Sequence, residues 1–146
     1  MWLGSTDLLN AQTVRINEFL ADNSNSLYLD EDGDPSDWIE LFNPDTVAVN
    51  LAGWHLTDDQ GNMTRWQFPA VSIPAGGYLI VFASGKDRIP TTGNLHTNFG
   101  LSAGGEYVAL VQADGVTIQS EFEVGGTDYP AQYPYPFCRY ELGIIL

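Results

Sequence analysis

The chain reads as an all-β protein, an antiparallel β-sandwich, on three observations. Helical periodicity is hard to find anywhere in its 146 residues. Fifteen glycines and eight prolines cut it into short runs at fairly even spacing, the pattern of a sandwich or barrel. The runs themselves alternate or are rich in β-branched and aromatic residues, which suit a half-buried pleated surface. Apolar residues make up 44% of the chain, enough to expect a folded single domain rather than disorder.

Taken in order, "TVRINEFLA" (13–21) alternates, with Val14, Ile16 and Glu18 on one side and Arg15, Asn17 and Phe19 on the other. "DWIELFN" (37–43) is strand-like and stops at the turn signal "NPD". "VAVNLAGWHLTD" (47–58) gives two short strands around Gly53, and "RWQF" (65–68) a brief one closed by Pro69. "GYLIVFAS" (77–84) is apolar on both faces and belongs inside a sheet. "EYVALVQADGVTIQSEF" (106–122) is a hairpin turning at Asp114-Gly115. Between them, 85–105 reads as a long connection with little strand signal, pinned to the core by Phe99 and Leu101. The proline-punctuated end, with Pro130, Pro134 and Pro136, is expected to be extended. The core is expected from Ile16, Phe19, Trp38, Ile39, Leu41, Leu56, Phe68, Leu79, Val81, Val108 and Leu110, and Trp54 and Trp66 are also expected inside.

Nineteen acidic residues face five basic ones, a net charge of −14. Phosphate backbones and anionic membranes need positive partners, so neither nucleic acid nor a membrane surface is an expected ligand, and no run is long enough to insert in a bilayer. The single cysteine, Cys138, excludes an intrachain disulfide and a cysteine zinc cluster. "MWLGSTDLL" has neither a basic start nor a continuous apolar stretch, so it does not read as a signal peptide.

The densest feature is "LDEDGDPSDWIEL" (29–41), with six acids in thirteen positions. Asp30, Asp32 and Asp34 alternate as ligands do in calcium loops. The longer helix-loop-helix calcium pattern fails, because Gly33 falls too early and Leu41 stands where the closing glutamate belongs. The expectation is a solvated turn first, with weak calcium binding by Asp30, Asp32, Asp34 and Asp37 as a secondary property. No cofactor is otherwise required. Glu18 and Glu40 can face each other across neighbouring strands, the carboxylate pair of glycosidases, but nothing in the sequence makes a sugar cleft. His55 and His96 are too few for a zinc site, and His96 is expected to make loop hydrogen bonds. Ser102 lacks the G-x-S-x-G frame of a nucleophile, "SAGGE" is a glycine turn, and "ASGKD" lacks the upstream glycine and following helix of a phosphate loop. No catalytic residues are expected.

The phrases "INEFLADN", "DEDGDPSDWIELFNP", "VNLAGWHLTDD", "RWQFP", "IPAGGYLIVFASGKD", "LHTNFGLSAGGEYVALV" and "YPAQ", in that order, resemble the lamin-tail domain, specifically its bacterial branch, over residues 14–132. The resemblance implies an immunoglobulin-like β-sandwich at 13–132, an N-terminal extension or module edge at 1–12, and a C-terminal extension at 133–146. It implies no catalytic set. It implies a non-catalytic interaction or spacer module of a larger extracellular or cell-surface bacterial protein, with a protein or carbohydrate partner. The alternative is a carbohydrate-binding accessory module of a secreted hydrolase, which a row of exposed aromatics on one sheet face would favour.

Overall fold

The structure, a computed structural model, describes residues 13–25, 27–122, 125–131 and 137–138. Its elements are β1 (Arg15–Leu20), β2 (Asp37–Phe42), β3 (Val49–Asn50), β4 (His55–Thr57), β5 (Trp66–Gln67), β6 (Ser72–Ile73), β7 (Tyr78–Ala83), β8 (Leu95–His96), β9 (Ala109–Val111), β10 (Ile118–Glu121) and β11 (Phe137–Cys138). One sheet runs β11-β1-β2-β7-β8, a second β10-β9-β4-β5, and β3 and β6 form a short ribbon. Every pairing is antiparallel except β7 with β8, which is parallel. The core lies between the sheets. Ile16, Phe19, Ile39, Leu41 and Val81 fill it from one side, and Leu56, Trp66, Val108 and Leu110 from the other.

Alternation explains most of this, with two departures. The simple two-residue period of "TVRINEFLA" breaks at a bulge: Ile16 lies opposite Leu41 but Glu18 lies opposite Glu40. The extra residue resets the faces, so Ile16 and Phe19 both reach the core. Trp38 is only half-buried, contrary to the expectation that it fills the core. Ile39 and Leu41 take the inward positions of β2, and the pleat must then turn Trp38 and Glu40 outward. Trp54 and Trp66 are the tryptophans inside. Leu79 is partly buried against the same core.

The long connection after β7 is more ordered than expected. Leu95–His96 form the parallel strand β8, and Arg88 bridges back to His96. Phe99 and Leu101 are buried in the core as expected. At the other edge, Phe137–Cys138 pair with β1, so the sheet draws on the stretch assigned to the C-terminal extension. The N-terminal extension at 1–12 lies outside the described residues.

The turn in "SAGGE" shows what glycine is for. Gly105 donates its N–H to the Ser102 carbonyl at 3.1 Å and adopts φ +99°. A Cβ there would stand 2.2 Å from the Tyr129 carbonyl oxygen, whereas one on Gly33 (φ +82°) would meet nothing within 4 Å. Gly33→Ala therefore costs only the left-handed penalty, about 1–2 kcal/mol. Gly105→Ala must also move the backbone at Tyr129 and is expected to cost on the order of 3 kcal/mol or more. Urea denaturation of the two variants side by side checks the order.

Candidate functional site

The loop between β1 and β2 is built around one carboxylate. Asp30 is buried, and its Oδ1 accepts the Asp32 and Asp34 amides, each at 3.0 Å. Its Oδ2 accepts the Ser36 hydroxyl and the Lys86 ammonium, both at 2.6 Å. Backbone bonds repeat the pattern: the Gly33 N–H donates to the Asp30 carbonyl and the Asp30 N–H to the Asp34 carbonyl. The stretch is thus a structured turn wrapped on Asp30, with Asp32 and Asp34 exposed. An aspartate capping amides two residues on is how this side chain makes turns.

Lys86, the chain's only lysine, lies in the loop after β7 and joins this turn to the second loop. Its Nζ is 2.6 Å from Asp30, 2.7 Å from Asp32 and 2.8 Å from Asp34. The three carboxylates each bring an oxygen within 4.8 Å of the others, and the ammonium sits where they converge. Burial works against the Asp30 charge. The bonds from Lys86, Ser36 and the Asp34 and Asp32 amides outweigh it and hold the carboxyl well below its usual range. Burial likewise opposes the Lys86 charge, and its three acidic partners drive its pKa upward.

The network continues outward. Arg88 reaches Asp32 at 2.6 Å and Glu31 at 3.4 Å, and Asn94 donates to Glu31 at 3.0 Å. Asn94, Glu31's own backbone and His96 bring the Glu31 carboxyl down to about 2. His96 is fully buried, with Nε2 2.8 Å from Glu31 Oε1 and Nδ1 2.8 Å from Ser84 Oγ. Glu31 can only accept, so Nε2 carries the hydrogen. Ser84 Oγ, which meets Nδ1, also accepts the Lys86 amide. This serine–histidine–glutamate relay has the connectivity of a nucleophile with its base, but the imidazole has no exposed surface and both nitrogens are engaged. Its role is to pin the two loops together.

Asp37 does not join the cluster. It stands at the start of β2, opposite Ala83, and accepts the Asn23 amide at 3.3 Å. Burial, reinforced by Asp22 and Glu106, raises its pKa to about 6 against the amides of Asn23 and Leu101 that favour the charge. Three of the four expected metal ligands therefore come together, already around an internal cation. Glu18 and Glu40 do face each other across β1 and β2, where Asn17 donates to Glu40 at 2.8 Å. His55 and His96 lie in different sheets, on β4 and β8. Ser102 gives its amide to Glu106 and its carbonyl to the Gly105 and Tyr129 donors, a turn role.

Sequence reasoning missed Lys86, Arg88, Ser84 and Glu31. A signal existed: two of the five basic residues of a chain carrying −14 fall within three positions of one loop, and such cations need acidic partners close by.

A family model described as Lamin Tail Domain matches residues 9–125. No curated protein matches the chain.

Three outcomes follow from this geometry. Asp30→Asn presents an amide to the Ser36 and Lys86 donors, and a loss of about 2 kcal/mol is expected in chemical denaturation. With Lys86 in place, calcium and magnesium should shift the melting temperature equally and slightly. In Lys86→Met the uncompensated carboxylates should produce a larger rise that is specific to calcium. For Asp37 the folded pKa lies above the unfolded 3.8, so its contribution is complete below about pH 4 and lost as pH rises through about 6. A shift of this size is worth about 3 kcal/mol unscreened, and about 1 kcal/mol after discounting a partly exposed group. Asp37→Asn should be more stable than the parent by that amount at pH 7 and indistinguishable at pH 4, as thermal melts at the two pH values will show.

Proposed function

The chain belongs to the lamin tail domain family, and from that premise we propose that it is a non-catalytic interaction module of a larger extracellular or cell-surface bacterial protein. The family's role as an immunoglobulin-like interaction domain supports the first part, and the resemblance of its phrases to the bacterial branch supports the second. One observation carries the reading. Large apolar side chains stand in water, Tyr78 at 55% and Val116 at 74% exposure among them. Exposed apolar groups on a rigid frame are what a partner's surface covers.

The carbohydrate-binding alternative asks for ring faces open to a sugar. Phe42 and Tyr78 instead stack on each other at 4.6 Å, and Arg15 lies over Phe42 at 5.0 Å. Tyr28 stacks on Phe82 at 5.9 Å. These rings take one another as partners, which speaks for a protein surface over a flat sugar platform. In this reading no cofactor is needed, and calcium binding by the acidic loop is a secondary property in which the ion must displace Lys86.

The test has two arms. The domain should show no turnover of a panel of ester, phosphate and glycoside substrates, and its cross-links to proteins of a cell-surface extract should map to the exposed apolar residues. Turnover lost on Glu18→Gln, Glu40→Gln or Ser84→Ala would overturn the reading.

A further inference from the structure

The most exposed apolar stretch lies directly before the acidic turn. Leu27 is 99% exposed, Tyr28 47% and Leu29 48%. This arm is held in place. The Asn23 side chain donates to the Tyr28 carbonyl and to the Ser36 carbonyl, both at 2.8 Å. The Tyr28 ring lies on Phe82 and meets the edge of Trp38 at 6.2 Å. The Tyr28 peptide between the two leucines is therefore held, which limits the ordering lost when something covers them.

Their surroundings select the occupant. Glu31, Asp32 and Asp34, which follow the arm closely, are exposed, and Asp22 before it is half-buried; among the described residues Lys86 and Arg88, with the buried His96, reach this cluster from elsewhere. Four acids at the surface against two bases leave an acidic rim beside an apolar arm. A second copy of the chain would bring two such rims together, and an anionic membrane would be repelled. Leucine side chains offer no ring to a sugar. We infer that Leu27, Tyr28 and Leu29, with Trp38 beside them, dock a cationic protein segment in which apolar side chains accompany lysines or arginines. This rests on the interaction-module reading and names the chemical class of its partner.

Calorimetric titration at about 150 mM salt, where exposed charges are screened beyond about 8 Å, tests it with three peptides of equal length. One alternates lysine and leucine, one lysine and serine, one glutamate and leucine. The lysine–leucine peptide should bind, the lysine–serine peptide at least tenfold more weakly, and the glutamate–leucine peptide not at all. Leu27→Ser with Leu29→Ser should weaken the first by at least tenfold with an unchanged melting temperature. No binding of the lysine–leucine peptide, or equal binding by parent and double variant, overturns the inference. So does a dimer, seen in sedimentation, that the double variant dissolves, or binding of chitohexaose that it abolishes. Extract cross-links confined to Tyr78 or Val116 would leave the module reading standing and remove this one.

Discussion

The structure depends on one ammonium group among three carboxylates. Asp30, Asp32 and Asp34 come within hydrogen-bond reach of a common point, and like charges held this close disfavour one another's ionisation. Bulk water or a metal ion would relieve that repulsion from outside. Here Lys86 relieves it from within, because the chain after β7 turns back through Gly85 at φ +72° and carries the side chain across. Two loops 56 positions apart in sequence are joined by that contact. The joint is widened by Arg88 and closed beneath by the buried His96, which touches both loops through Glu31 and Ser84.

How much of this was legible follows from the range over which each feature is decided. Strand β2 and the β9–β10 hairpin are set by local pattern and by Asp114-Gly115, and β7 by its unbroken apolar run, so a reader of the sequence finds them. The bulge at Asn17 is not local: it exists because Glu18 registers with Glu40 while Ile16 registers with Leu41. β8 is two residues long and gains its identity from Val81 and Phe82 beside it, so no period could announce it. The acidic loop was legible as acidic, and its calcium-like spacing is real. What the spacing does not contain is the counter-charge, which arrives from residue 86. Asp37 was grouped with the others by proximity in sequence, yet the first residue of a strand faces where the pleat sends it.

The pleat also decides what the outside of the larger sheet looks like. With Ile39, Leu41 and Val81 turned into the core, their neighbours Trp38, Glu40, Phe42, Tyr78, Ile80 and Phe82 have only the other face. The register sets Trp38 beside Phe82, Glu40 beside Ile80 and Phe42 beside Tyr78. An outer face this apolar would be a liability if left bare. At the β8 end it is covered: Tyr28 and His96 lie on Phe82, at 5.9 Å and 5.2 Å, and leave it buried. The ionic joint and this cover are one construction, since the chain that carries Tyr28 runs directly into Asp30, and the strand that carries His96 follows Lys86. Fixing the loops by charge lays their aromatic rings on the sheet. Leu27 and Leu29 flank Tyr28, and a ring seated on Phe82 holds its neighbours at the surface. Their exposure thus follows from the same contact that buries Phe82, which makes the arm a built part of the domain's surface.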